Sequence, residues 1–196
     1  MLEKEQLKKH LEKIASSHNI ISRSQKDTYP IPRLLEDYEK IKEVYKMLNE
    51  HVNMKINIHP AGEWLLDNFY IIEETVKQIE KELTIKKYKN FIGIANGEYA
   101  GFARIYVLAS EIIAYTENRI EKESLEEYLQ SYQNKKTLNM DEIWNIELFI
   151  KIAIIENIKN ICEKIYASQM QKYRAENIIE RLVELKTKEN QVFNKK

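Results

Sequence analysis

Six apolar residues spaced alternately four and three positions apart form the strongest pattern in this chain. They are Leu65, Phe69, Ile72, Val76, Ile79 and Leu83. Because residues at this spacing lie on one side of an α-helix, the pattern predicts an amphipathic helix with one buried face. Pro60 suits the first helical position, where its missing N–H costs no hydrogen bond, and His59 is expected to cap the helix. The sequence therefore predicts a helix from about Pro60 to Leu83.

Residues that interrupt helices are scarce, with only four Gly and three Pro in 196 residues. Further apolar repeats predict helices over residues 7–17, 34–48, 102–118 and 124–132, and from 139 onward. Ser124 with Glu127, and Asn139 with Glu142, have the spacing of capping boxes at the starts of the last two helices. No stretch alternates with the two-residue period of a strand. The sequence predicts one all-α domain of about six helices, with residues 18–32 as a linker.

The helices that start near residues 60, 102 and 139 are predicted to form the core. The residues expected to be largely buried are Trp64, Leu65, Phe69, Ile105, Ala109, Ile112, Trp144, Leu148 and Ile152. The last helix is expected to continue past Tyr173 toward Leu185 as a partly exposed connector that ends in a polar tail. The alternative is that this segment folds back and completes the bundle.

Three of the four glycines fall within nine residues, at Gly93, Gly97 and Gly101. A phosphate-binding loop needs a glycine-rich run followed by Gly-Lys-Ser/Thr, and that sequence is absent. These glycines are interpreted as turn positions and as room for the close approach of helices.

The composition excludes several classes of function. Lysine plus arginine equals aspartate plus glutamate, so the basic excess of a nucleic-acid-binding protein is missing. Cys162 is the only cysteine and cannot form an intrachain disulfide, which fits a cytoplasmic location. The apolar run from residue 143 to 155 is shorter than the ~20 residues of a membrane-spanning helix, so we expect no membrane span in this chain.

Polar residues and two tryptophans lie on or beside the apolar faces of the predicted core helices. They are Trp64, Asp67, Asn68, Arg104, Glu111, Glu142, Trp144, Glu147, Glu156 and Asn157. Because a buried charge needs a partner, we interpret them as an internal polar network in which Arg104 pairs with Asp67, Glu111 or Glu147. The alternative is weak contact with a sugar, with a tryptophan or tyrosine stacked on the pyranose ring.

Catalytic, metal and cofactor sites are not predicted. Glu63 and Asp67 are neighbours on one helix, but glycoside hydrolysis needs carboxylates on both sides of a sugar. The histidines at positions 10, 18, 51 and 59 lack metal-ligand spacing, and Ser16, Ser17 and His18 lack the third member of a triad. We expect this chain alone to have no enzymatic activity and no cofactor.

Three blocks of the chain resemble the N-terminal region of cyclic β-1,2-glucan synthases. They are HPAGEWLLDNFYIIEE (59–74), GEYAGFARIYVLASEIIAYTENR (97–119) and LEEYLQSYQNKKTLNMDEIWNIELFIKIAIIENI (125–158). The resemblance is carried chiefly by WLLDNF, GFARIY, EIW and IEN. In that family, similar blocks precede a membrane-embedded glycosyltransferase domain that uses UDP-glucose, and no glycosyltransferase motif follows Ile158 here.

The resemblance implies a helical accessory domain of a bacterial glucan synthase, on the cytoplasmic side of the inner membrane. Its expected partners are the remainder of the parent synthase and, more weakly, a β-glucan; self-association through the C-terminal helix is a further expectation. The alternative is a free-standing helical protein-interaction module without enzymatic activity. We expect residues 1–58 to form N-terminal helices and linkers, residues 59–166 the glucan-synthase-like core, and residues 167–196 a helical extension and tail, all within one domain.

Overall fold

The computed structural model describes residues 4–116 and 120–193, and its secondary structure is 77% helical. The α-helices are α1 (Lys4–Ser17), α2 (Ile31–Asn53), α3 (Pro60–Glu82), α4 (Ile85–Tyr88), α5 (Arg104–Thr116), α6 (Lys122–Gln133) and α7 (Met140–Phe193). A 3-10 turn, η1 (Lys26–Thr28), and two short strands, β1 (Ile20–Ile21) and β2 (Gly93–Ile94), complete the elements of the described ranges. The predicted all-α fold is confirmed.

The chain forms two compact units, and several helices contribute residues to both. Unit 1 contains Met1–Glu39 and Tyr70–Lys159, and unit 2 contains Lys40–Phe69 and Asn160–Lys196. The division predicted from sequence, into residues 1–58, 59–166 and 167–196, stays a prediction. Within residues 4–116 and 120–193, no helix combines the length and hydrophobicity that crossing a bilayer requires.

Two of the predicted helix starts are confirmed in atomic detail. The ring Nδ1 of His59 accepts a hydrogen bond at 3.1 Å from the amide of Ala61, the second residue of α3. At the start of α7, the Glu142 amide donates to Asn139 Oδ1 and the Asn139 amide donates to Glu142 Oε2, both at 2.8 Å. This is the reciprocal capping box that the spacing predicts.

The capping box predicted for α6 is wrong. That helix begins at Lys122, so Ser124 lies inside its first turn, and the N-cap residue Glu121 makes no side-chain capping bond. The Leu125 amide already bonds to the Glu121 carbonyl at 3.0 Å. Earlier residues therefore start the helix before the Ser124 hydroxyl can cap it.

In unit 1, a short antiparallel β-pairing joins the predicted linker to the glycine-rich segment. The sequence pattern did not predict this pairing. Ile20 pairs with Ile94 and Ile21 with Gly93 in antiparallel register. A Cβ on Gly93 would lie 2.9 Å from the Arg23 carbonyl oxygen, so the close approach requires glycine there.

The other two glycines of this segment serve the turns that were predicted for them. Gly97 and Gly101 have φ of +86° and +85°. The expected close approach of helices is wrong for Gly93, which instead approaches the extended chain after β1. A strand of two residues is too short to leave a periodic signal.

The predicted core is confirmed in part. Leu65, Ile105, Ala109, Ile112, Leu148 and Ile152 are all at most 5% exposed. Phe69 is half-buried and stacks on Tyr45 within unit 2, with ring centroids 4.0 Å apart.

Two members of the predicted core are wrong, because Trp64 is 52% exposed and Trp144 is 73% exposed. Each tryptophan lies next to the apolar face of its helix rather than on it. Trp144 shares its helix side with the exposed Met140 and Glu147, and Trp64 shares its side with the exposed Ile71, at i+7. The helical position, not the hydrophobicity of the side chain, decides which way each ring points.

In unit 2, the middle of α7 makes specific contacts. The side chains of Gln169 and Lys172 donate to the Asn57 carbonyl at 3.0 and 3.2 Å, and the His51 and Tyr173 rings stack 6.2 Å apart. Further along the helix the described large aliphatic residues are 58–60% exposed: Ile178, Ile179, Leu182, Val183 and Leu185. The role of this segment as a connector stays a prediction.

Candidate functional site

A fully buried ion pair joins α5 to the start of α7 in unit 1. Arg104 Nε donates to Glu142 Oε1, and one terminal nitrogen of the guanidinium donates to Glu142 Oε2, both at 2.7 Å. The same nitrogen also donates to the Thr137 carbonyl at 2.8 Å. The side chains of Arg104 and Glu142 are 2% and 0% exposed. This bidentate geometry is the strongest form of a charge-assisted hydrogen bond.

The partner of Arg104 is not one of the three acids predicted for it, and the wider polar network among the ten candidate residues stays a prediction. Asp67, Glu111 and Glu147 do not pair with Arg104; Glu142 does. The reason is local, because the capping box already holds the Glu142 carboxylate at the helix start, where it faces α5. One carboxylate thus caps its own helix and neutralises the arginine of another.

The network continues from Arg104 through Tyr132 to His18. The charge of Arg104 acts on the Tyr132 hydroxyl, and that hydroxyl lies 3.0 Å from His18 Nδ1. The hydrogen bond between Tyr132 and His18 connects the histidine to the surroundings of the buried ion pair, and the tautomer of the ring decides which of the two groups donates.

Burial sets the ionisation of this network. Burial, followed by the charges of Arg104 and Lys136, lowers the pKa of His18 to about 4, so its ring is neutral at pH 7. Burial raises the pKa of Tyr132 to about 12. Burial alone would lower the pKa of Arg104, but its hydrogen bonds and the charge of Glu142 outweigh this and raise it. Arg104 is therefore charged throughout the physiological range.

The network ends at an open pocket of about 340 Å³, which we call the His18 pocket. Three segments line it, from the end of α1, from the loop after β2, and from the middle of α5. The lining residues are Ile14, Ser17, His18, Ile94, Asn96, Gly97, Glu98, Tyr99, Val107 and Glu111. Through His18, a buried polar contact reaches a concave surface here.

The candidate residue Glu111 lies on the α5 side of this pocket. Its Oε2 is 2.8 Å from His10 Nε2, and the Tyr115 ring contacts His10 edge-on, with centroids 4.7 Å apart. Glu111 and Tyr115 thus share a contact with His10 of α1. Arg104 lies elsewhere in the network.

The remaining candidate residues are dispersed. Asn68 donates to the Trp64 carbonyl at 2.8 Å, while Asp67 and Glu63 line a wide open pocket in unit 2 with the segment from residue 52 to 58. Glu147 is exposed and pairs with Lys151 at 2.7 Å. These contacts are ordinary local contacts of helices at the surface.

The last two candidates are more buried. Glu156 accepts a hydrogen bond from the Tyr106 hydroxyl at 2.6 Å and lies 3.8 Å from Arg33, and Asn157 is half-buried. The structure does not gather the ten candidates into one site. Their suggested contact with a sugar stays a prediction.

Sequence reasoning missed most of the His18 pocket. Only Glu111 was among the candidates, and Gly97 was interpreted solely as a turn position. His18, Glu98 and Tyr99 come from segments about 80 residues apart in the chain, and the β1–β2 pairing brings them together. A two-residue strand gives no signal that would have found them.

Chemically, the arrangement offers one neutral imidazole, two carboxylates and an amide around a partly apolar wall. Such groups bind hydroxyl-rich ligands. Within the described residues, no group of three His, Cys, Asp or Glu side chains is placed to hold a metal ion.

Comparison with known proteins gives one informative similarity, although no protein-family model matches the chain. The chain is 25% identical over 150 residues to the cyclic beta-(1,2)-glucan synthase NdvB of Rhizobium meliloti (strain 1021). The match covers 76% of this chain and 5% of that protein, so the chain spans about a twentieth of the relative's length. This similarity supports a relation to the cyclic β-1,2-glucan synthase family.

Proposed function

We propose that this chain is a non-catalytic helical accessory domain of a bacterial cyclic β-1,2-glucan synthase. In this proposal it packs against or positions the catalytic region on the cytoplasmic side of the membrane. The observation that carries the proposal is the similarity to NdvB, which extends over 76% of the chain and matches only a small part of a much larger synthase.

An exposed patch on α7 supports a docking role. Met140 is 60% exposed and Trp144 is 73% exposed, one turn apart on the same side of the helix, with Glu147 a further turn along. Tryptophan is enriched where proteins bind one another, because it buries a large area with few rotatable bonds. We call Met140, Trp144 and Glu147 the Trp144 patch.

The charged groups that the fold buries support a structural role rather than catalysis. Arg104 and Glu142 neutralise each other away from solvent, and the Glu142 carboxylate also caps its helix. A group with both oxygens engaged in this way does not act as a general acid or base. We expect no turnover of UDP-glucose or of β-1,2-glucan by the purified chain.

The docking proposal is tested by complementation. NdvB lacking the matched segment is purified with this chain added separately, and both co-purification and glucan synthesis are measured. We expect the wild-type chain to co-purify and Trp144→Ser to bind at least about tenfold more weakly. Trp64→Ser is the matched control, since it removes another exposed tryptophan outside the patch. Equal binding of Trp144→Ser and wild type would contradict the proposal.

A second candidate is a free-standing interaction module that associates through the end of α7. The observation that favours it is the exposure of Ile178, Ile179, Leu182 and Leu185, each 58–60% exposed. Sedimentation equilibrium of the full chain distinguishes the candidates. Concentration-dependent dimers that Leu182→Glu abolishes would favour the module, whereas a monomer at all concentrations would count against self-association.

A further inference from the structure

A small pocket of about 140 Å³ in unit 1 borders the Trp144 patch. Helix α4 and the residues after it form one side of this pocket, and the first turns of α7 form the other. The lining residues are Lys87, Asn90, Phe91, Asp141 and Asn145. Asn145 directly follows Trp144 in the chain, so the pocket and the exposed indole belong to one continuous surface. We call this concavity the Lys87 pocket.

The Lys87 pocket holds hydrogen-bond donors that the protein itself does not use. In the part of the chain that the structure describes, the side chains of Lys87 and Asn90 have no hydrogen bond or ion pair. Asn145 donates from its side-chain amide to the Asp141 carbonyl at 2.7 Å, which uses one of its two N–H groups. A carboxylate only accepts hydrogen bonds, so it is the side-chain group that complements an ammonium and two amides.

Lysines dominate the charge around the pocket. Lys86 and Lys89 flank Lys87 in the chain, and both are exposed. Because all three lie within four consecutive residues, their charges act on the pocket within the screening length of about 10 Å at 0.1 M salt. A positive surface of this kind attracts acidic groups and repels basic ones.

The nearby acids do not cancel these charges. Asp141 is the acidic residue among the described lining residues, so three lysines surround one carboxylate. Glu147 of the Trp144 patch is paired with Lys151 at 2.7 Å. At the end of α3, Glu82 accepts a hydrogen bond from Gln78 at 2.8 Å and has Lys81 beside it in the chain.

The shape of the surface suits a protein segment. Trp144 and Met140 are 73% and 60% exposed on α7, whereas the pocket next to them is concave and includes the buried Phe91. A polypeptide can supply an apolar side chain for the indole and a separate carboxylate for the pocket. An anionic bilayer would press its negative charge against Asp141 and Glu147 as well as against the lysines.

We propose that the Trp144 patch and the Lys87 pocket together bind an acidic segment of the parent synthase. A carboxylate of that segment enters the Lys87 pocket, and a neighbouring apolar side chain packs on the Trp144 indole. Lys86 and Lys89 attract further acidic residues of the segment and repel basic competitors. The chemistry of the partner follows from this surface, whereas its assignment to the synthase rests on the proposed function.

Two blocked peptides, EELLEE and KKLLKK, test the chemistry of the partner without the synthase. Each is titrated into the full ¹⁵N-labelled chain. We expect EELLEE to shift the Trp144 indole N–H and the side-chain amides of Asn90 and Asn145 saturably, in the millimolar range. KKLLKK should bind at least about tenfold more weakly. Raising the ionic strength from about 0.01 M to about 1 M shortens the screening length from about 30 Å to about 3 Å and should weaken EELLEE strongly.

Two double variants provide the matched comparison. Lys86→Glu with Lys89→Glu reverses two exposed charges beside the pocket, and it should weaken both EELLEE and docking to NdvB at least about tenfold. Lys9→Glu with Lys13→Glu reverses two exposed charges on α1, outside this surface, and should bind as wild type does. The amide spectrum of each variant verifies that its fold is unchanged.

Three peptide results would overturn the proposal: no shift near Trp144, equal affinity for the two peptides, or equal affinity of Lys86→Glu/Lys89→Glu and wild type. Sedimentation with phosphatidylglycerol vesicles tests the other occupant. Lysine-dependent binding to vesicles that is tighter than binding to EELLEE would assign the surface to a lipid bilayer and would also overturn the proposal.

The complementation with NdvB separates this inference from the proposed function. Docking that depends on Trp144 but not on Lys86 and Lys89 would refute the acidic partner alone. Binding of EELLEE by a chain that does not dock to NdvB would refute the proposed function and would leave the preference of the surface for an acidic segment.

Discussion

Glu142 is fully buried, whereas Trp144, two residues later on the same helix, is 73% exposed. This reverses the usual placement of the two residue types. The carboxylate is stable inside because Arg104 and the Asn139 amide donate to it. The indole gains no such burial because its side of α7 faces away from the core of unit 1. Glu142 therefore contributes to holding the fold together, whereas Trp144 stays exposed and is left for binding.

The ion pair gives the largest stability prediction. Glu142→Gln should lower the free energy of unfolding by about 3–5 kcal/mol, because it leaves the Arg104 charge buried and uncompensated. Urea unfolding at pH 7 measures the change. Glu147→Gln is the matched control on the same helix; its side chain is 76% exposed, and the loss should stay below about 1 kcal/mol. Equal losses for the two variants would contradict the role of the ion pair.

A double replacement tests the physical origin of that loss. Arg104→Met combined with Glu142→Leu removes both charges together, so neither remains unpaired. We expect the double variant to be more stable than Glu142→Gln alone, although it also loses the capping box.

His18 should make stability depend on pH. Burial lowers its pKa from 6.5 to about 4, so the unfolded chain binds more protons than the folded chain between these values. The stability it contributes is fully present above pH 6.5 and is lost as the pH falls toward 4, by at most about 3 kcal/mol. His18→Gln should flatten the unfolding free energy across this window. A slope unchanged from wild type would show that His18 is not responsible.

Glu156 should act in the opposite sense. Burial raises the pKa of this carboxyl, against the lowering effects of the Tyr106 hydrogen bond and the Arg33 charge. The folded chain therefore retains its proton better, and stability falls as the pH rises from about 4.5 through the raised pKa. Glu156→Gln keeps an acceptor for the Tyr106 hydroxyl and removes the charge. We expect it to unfold at the same or higher urea concentration at pH 7, with a gain of about 1 kcal/mol. A clear loss of stability would contradict this account.

Cys162 should be unreactive in the folded protein. It is 2% exposed, and burial, with a smaller effect of Glu163, raises the pKa of its thiol to about 11. Because the thiolate is the nucleophile, alkylation by iodoacetamide at pH 8 should be much slower than in urea. Mass spectrometry follows the modification with time. Equal rates in the two conditions would show that the surrounding part of α7 opens readily.

The sequence predicted the features that depend on periodicity and on spacing within one helix. The α3 face, the His59 cap and the Asn139–Glu142 capping box are of this kind, and each needs only local geometry. It did not predict the partner of Arg104, because three other acids on the candidate helices were equally acceptable by residue type. It did not predict the His18 pocket either, since long-range pairing of β1 with β2 forms it. The predicted burial of the two tryptophans was wrong for a different reason: residue type was given more weight than helical position.

The contact between α1 and α6 has a consequence for the order in which the chain folds during synthesis. Lys4 pairs with Glu127 at 2.7 Å, across 123 positions of sequence. A ribosome adds residues at roughly 5–20 per second, so α1 leaves the ribosome roughly 6–25 s before its partner helix exists. During that interval the side of α1 that bears Leu7, Leu11 and Ala15 has nothing to cover it. Helix α1 is thus made well before the helix that secures it, and chaperones have access to its apolar side throughout that interval.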